Sequence, residues 1–134
     1  MASTPGPLGQ FTYSNGLLTP VTYTTDSIAP GSYGTTPFVS SNGTANGIVW
    51  MLDHGQPIQN SSAVAPTAAV LRAYDAGNIA TELYNSAQNA ADAAGYGIKF
   101  TSPIVANGKV YIGTAHDTLS VTSPQGELDV YGLK

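Results

Sequence analysis

The stretch Phe100–Thr114, FTSPIVANGKVYIGT, reads as two short apolar strands joined at Asn107-Gly108. The same pattern stands earlier in the chain, at Thr36–Gly43 and, after a short insertion, at Gly47–Leu52. The copies are 66 residues apart, counted from Pro37 to Pro103. In a chain of 134 residues that spacing makes two copies of one unit, so the fold is expected to be built by repetition.

Gly47–Leu52, GIVWML, narrows the choice further. On a strand, Ile48, Trp50 and Leu52 point one way and Val49 and Met51 the other, so neither face can be left in water. Such a strand must lie between two layers. Composition agrees with an all-β chain: only 9% of residues are charged, and 15 Gly, 9 Pro and 8 Tyr accompany many Ser, Thr and Asn. The strand plan then follows. Residues 1–9 form a flexible leader, and Gln10–Tyr13 and Leu17–Thr25 are strands around the turn Ser14-Asn15-Gly16. Pro20, with no N–H to donate, marks an edge. After a loop to Thr35, strands Pro37–Ser40, Gly47–Leu52, Ala69–Tyr74 and Ile79–Tyr84 complete one unit. Ser86–Gly95 is a loop with at most one helical turn, because it has no apolar stripe to dock. The second unit has Pro103–Ala106, Lys109–Gly113 and Glu127–Leu133, with Thr118–Thr122 as an extra strand in its connection.

The second unit ends one strand short. The counterpart of Asn78–Ser86 stands instead near the beginning, at Gly16–Thr24, so the repeat is permuted. Repeated four-stranded antiparallel sheets with doubly apolar inner strands are what β-propeller blades require. The expected organisation of residues 10–134 is thus a two-blade unit: 10–35 as outer strands and loop, 36–95 as a complete blade, and 96–134 as a last blade lacking its outer strand. Propellers have four to eight blades, so two blades imply either a ring of copies or the C-terminal part of a longer propeller. Three copies would give six blades and four would give eight. The N-terminal strand, from the same chain or a neighbour's, would close the ring.

Ala73-Tyr74-Asp75-Ala76-Gly77-Asn78 with Glu82-Leu83-Tyr84 resembles the repeat of quinoprotein-like, PQQ-binding-like β-propellers, with Tyr84 where the family's docking Trp would stand. The run IKFTSPIVANGKVYIGT and the ending ELDVYGL are similar to the family's C-terminal blade. The resemblance spans about Thr36 to Leu133 and implies a propeller. It does not carry the cofactor: cysteine is absent, which leaves no vicinal disulfide, and no segment matches the family's metal loops, so PQQ and calcium are not expected.

Two histidines have a site-like arrangement. His54 follows Asp53 after the second strand of one unit, and His116 precedes Asp117 after the second strand of the other. In a propeller both connections emerge on one face, where a ring of His-Asp pairs could hold a divalent metal or act as acid and base. The plainer alternative, favoured by the loose spacing and reversed order, is that both are polar turn residues. Tyr33 and Tyr96, in loops leading to the innermost strands, are the candidates for stacking on a glycan, whereas Trp50, Tyr74, Tyr84, Tyr111 and Tyr131 are expected to pack between sheets. No catalytic residue or metal site is assigned, since no nucleophile elbow or phosphate loop is present. A net charge of -4 with four fixed positive residues offers no footprint for nucleic acid. No apolar run is long enough to span a membrane. Low charge with many Tyr, Asn, Thr and Ser suits an extracellular or periplasmic protein whose signal peptide is not in this chain, and the glycosylation patterns at Asn42-Gly43-Thr44 and Asn60-Ser61-Ser62, common in Asn/Ser-rich chains, matter only in a eukaryotic secretory setting. The expected function is a non-catalytic scaffold or binding module whose partners are copies of itself and a glycan or small molecule. The alternatives are an enzyme with a site assembled at the ring centre and a lectin-like module.

Overall fold

A computed structural model describes residues 6–24, 34–55, 65–116 and 125–132. The described residues are all-β, with antiparallel pairing throughout and three separate sheets. Strands β1 (Gly9–Ser14) and β2 (Leu17–Tyr23) form a hairpin. Strands β3 (Phe38–Asn42), β4 (Ala45–Asp53), β5 (Val70–Asp75) and β6 (Asn78–Asn85) form a four-stranded sheet in chain order. Strands β7 (Ile104–Ala106), β8 (Lys109–Ala115) and β9 (Gly126–Gly132) form a three-stranded one. The tight turns are set by local chemistry. Asn15-Gly16 and Asn107-Gly108 both take left-handed φ, 50° and 79° in the first pair and 50° and 71° in the second. Those are the conformations a two-residue hairpin turn demands. The β5–β6 turn is held by Asp75, whose Oδ1 accepts from Gly77 N at 2.7 Å.

The doubly apolar β4 is covered on both sides. Trp50 and Leu52 face the three-stranded sheet in a cluster with Leu71, Val110 and Ile112, while Val49 and Met51 face the hairpin side with Tyr74, Ile79 and Leu8. The hairpin is tied there by Gln10, whose Nε2 donates to Ala76 O at 3.1 Å and whose Oε1 accepts from Ile79 N at 3.5 Å. The order of layers is therefore hairpin, four-stranded sheet, three-stranded sheet. Within the chain the hairpin does not supply the missing fourth strand of the last sheet. Among the described residues β9 pairs with β8 alone, and β1 and β2 approach β6. Gln10 explains this placement, since its amide satisfies the backbone of the β5–β6 turn.

The two larger sheets repeat each other residue for residue. Val49 lies between Val39 and Tyr74, and Val110 lies between Val105 and Tyr131. By the same registers Trp50, Leu52, Leu71 and Ala73 correspond to Tyr111, Gly113, Leu128 and Val130. Even the approach to the first strand recurs, with Gly34 and Phe100 both at positive φ, 83° and 67°. The segment after β6 differs from the single helical turn expected. It forms two 3₁₀ turns, Ser86–Gln88 and Ala90–Asp92, capped by Asn85 and Asn89, whose side chains accept from Ala87 N and Ala91 N. The Thr118–Thr122 strand lies outside the described residues. Equivalent positions should then have unequal weight: Leu71→Ala should cost about 3 kcal/mol, and Leu128→Ala less than about 0.5 kcal/mol. Urea unfolding at concentrations too dilute for association measures the difference.

Candidate functional site

The inner ends of the two sheets are joined by a backbone seam. Tyr96 bridges Ala68 on one side and Ala115 on the other, as a one-residue strand between the sheets. Its N donates to Ala115 O at 2.8 Å and its O accepts from Ala115 N at 3.0 Å, while Gly95 O accepts from Ala69 N at 2.8 Å. The glycines flanking Tyr96 are required by close approach: a Cβ on Gly97 would stand 2.0 Å from His54 O, and one on Gly95 2.6 Å from Ala115 O. Tyr96 thus spends its main chain on the seam, and its side chain is half-buried.

His54 sits beside this seam, fully buried, with Nε2 3.0 Å from Thr101 O and 3.2 Å from Thr101 Oγ1. It fastens the end of β4 to the segment entering β7. Asp53 is also buried and closes a local turn, its Oδ1 accepting from Gly55 N at 3.0 Å. His116 is different: it is exposed, and its N donates to Gln125 O at 3.0 Å. The two histidines therefore occupy unlike surroundings. Tyr33 and Asp117 lie outside the described residues. Among the described residues no group of three or more His, Cys, Asp or Glu side chains gathers as a metal would need. Burial lowers the pKa of His54 below its ordinary value, and the Thr101 carbonyl, the Asp53 carboxylate and the Gly34 carbonyl partly offset that.

A second feature lies between the sheets further out, where they diverge into an open cleft of about 1080 Å³. Trp50 and Tyr84 from one sheet and Val105 and Tyr131 from the other line it, with Asp92 and Asp129 at its polar parts. The tyrosine rings meet edge to face at 6.3 Å, and Tyr131 OH donates to Asp92 O at 3.0 Å. Trp50 Nε1 donates to Ser40 Oγ at 2.8 Å. Asp129 Oδ2 accepts from Thr114 Oγ1 at 2.7 Å and from Gly95 N at 3.1 Å, tying the cleft to the seam. Burial, with the nearby Asp129 and Tyr84, pushes the Tyr131 phenol up to about 12, and burial with Asp92 raises Tyr84. Both phenols stay protonated at neutral pH, so the cleft offers aromatic faces and fixed hydrogen-bonding groups. The sequence marked Trp50, Tyr84 and Tyr131 as packing residues but not the opening they border. Asp129 and Thr101 carried no motif; the two glycines around Tyr96 were the available signal.

No family model, curated protein or solved structure matches the chain.

The buried His54 gives a pH dependence of known sign. Its folded-state pKa is depressed, so below about 6.5 the unfolded chain takes up a proton that the folded chain refuses. Stability should fall as the pH drops from about 6.5 toward the lowered folded value. Urea unfolding at a series of pH values should show this slope, and His54→Gln should flatten it while lowering stability throughout.

Proposed function

We propose that the chain is a pair of β-propeller blades with a permuted outer strand, a non-catalytic scaffold or ligand-binding module whose copies join to complete a ring. The same design would serve as the C-terminal part of a longer propeller. One observation carries the reading: two equivalent sheets are treated unequally. In the four-stranded sheet Leu71 and Ala73 are 0% and 1% exposed, whereas their equivalents in the three-stranded sheet, Leu128 and Val130, are 64% and 48% exposed. A sheet of this type needs a neighbour on each face. Among the described residues the last one has a neighbour on one face only and lacks the counterpart of β6.

The cleft favours a ligand-binding role beside the scaffold role. Aromatic walls with a few convergent polar groups suit a glycan or another small neutral molecule. Trp50 is the only tryptophan of the chain, so its fluorescence reports on the cleft without labelling. A shift of that emission with one member of a panel of soluble oligosaccharides is the expected result; unchanged emission across the panel would remove the glycan reading. For the scaffold, the native mass at micromolar concentration should be a multiple of 13.7 kDa. A stable monomer that binds no apolar dye would defeat the ring.

A further inference from the structure

The three layers of the chain follow one rule. Each sheet presents one face to the layer before it and the opposite face to the layer after it. The four-stranded sheet gives Val49, Met51, Tyr74 and Ile79 to the hairpin, and Trp50, Leu52 and Leu71 to the three-stranded sheet. The three-stranded sheet gives Val110 and Ile112 back to the four-stranded one. Its own outward face carries the counterparts of Trp50, Leu71 and Ala73, namely Tyr111, Leu128 and Val130.

The hairpin has an outward face too. Gln10 on β1 reaches the four-stranded sheet, so alternation turns Phe11 and Tyr13 away from it, with Leu18 opposite Tyr13. Measured from the turns, Tyr13 and Leu18 stand where Tyr74 and Ile79 stand in the four-stranded sheet. Tyr74 and Ile79 are 1% and 3% exposed; Tyr13 and Leu18 are 73% and 69% exposed. Each end of the stack therefore displays a surface whose equivalent is buried within the chain. The two ends are of opposite kinds, one equivalent to a face that looks forward and the other to a face that looks back. Residues 9–23 contain no charged side chain, and the outward positions of the last sheet contain only Lys109, at its end.

We infer that the outward face of the three-stranded sheet, around Tyr111, Leu128 and Val130, docks on the outward face of the N-terminal hairpin, around Tyr13 and Leu18, of a second copy of this chain. The contact rests on the ring reading and specifies it as head-to-tail stacking of faces. It continues the interface that the four-stranded sheet already makes on each side, and that continuity makes a second copy the occupant. A head-to-tail contact leaves one face of each kind free after every addition, so growth stops only where the rotation per copy closes a ring.

The test uses Val130→Glu and Leu18→Glu, one on each face. Wild type should associate, and each variant alone should associate about 100-fold more weakly, because a carboxylate would be carried into an apolar contact. An equimolar mixture should then recover a two-chain species and nothing larger, since each variant retains the face that the other has lost. Light scattering after size separation reads all four samples. Thermal unfolding checks that each variant is folded; a variant without a cooperative transition is replaced by Leu128→Glu or Tyr13→Glu on the same face. Variants that assemble like wild type would overturn the face contact while leaving the ring reading in place, with the β9 edge as its seam. A mixture that stays monomeric would overturn head-to-tail pairing. A wild type that is monomeric at every concentration would overturn both.

Discussion

One strand with no polar face decides the architecture. Because β4 carries Trp50 and Leu52 on one side and Val49 and Met51 on the other, the chain must build a layer on each side of it. Each of those side chains contributes about 1.5–3 kcal/mol when removed from water, which is a large share of the stability of a small domain. The hairpin and the three-stranded sheet are the layers that meet this demand. The hairpin meets it with little apolar contact of its own: Leu8 packs on the cluster and Gln10 hydrogen-bonds to the turn, while β1 from Phe11 onward and most of β2 stay exposed. A two-stranded ribbon of that kind has marginal stability alone.

The other layer is held differently. Between the four- and three-stranded sheets the inner ends are fixed by main-chain hydrogen bonds through Gly95, Tyr96 and Gly97, and His54 adds a side-chain link to Thr101. The outer ends diverge, and the cleft bordered by Trp50, Tyr84 and Tyr131 is the result. Fixing sheets at one end and letting their twist separate them at the other yields a wedge without any residue dedicated to opening it. Site geometry thus follows from where the backbone seam lies.

Much of the sheet structure was legible because it rests on local rules. Alternation in Gly47–Leu52 showed which side chains share a face, and the Asn-Gly pairs showed where strands reverse. What escaped were features settled between distant residues. The place of the hairpin depends on Gln10 meeting Ala76 and Ile79, a glutamine with no motif around it. The burial of His54 depends on Thr101, and a histidine after an aspartate at a strand end reads as a turn until the partner is known. Tyr96 reads as a loop aromatic, yet its role lies in its N–H and carbonyl, which every residue possesses. The cleft has no sequence signature at all, since its walls come from two sheets and its width from the angle between them.

The contrast between the two equivalent sheets bears on what kind of end the three-stranded sheet is. Repeat architectures that stop in water finish with a unit whose outer face is polar, because only then is the stack soluble. Here most outward positions keep the chemistry of an internal unit: Tyr111 stands for Trp50, Leu128 for Leu71 and Val130 for Ala73, while Leu52 gives way to Gly113 and, at the end of the sheet, Ile48 to Lys109. The hairpin shows the same retention, with Tyr13 for Tyr74 and Leu18 for Ile79. Protective charges on the edges are few, as expected of a chain with 9% charged residues. A surface that is apolar at both ends of a stack, uncharged across the hairpin and matched position by position to surfaces buried inside the same molecule has the composition of an interior. On the proposed head-to-tail contact, that composition is what the next layer would cover.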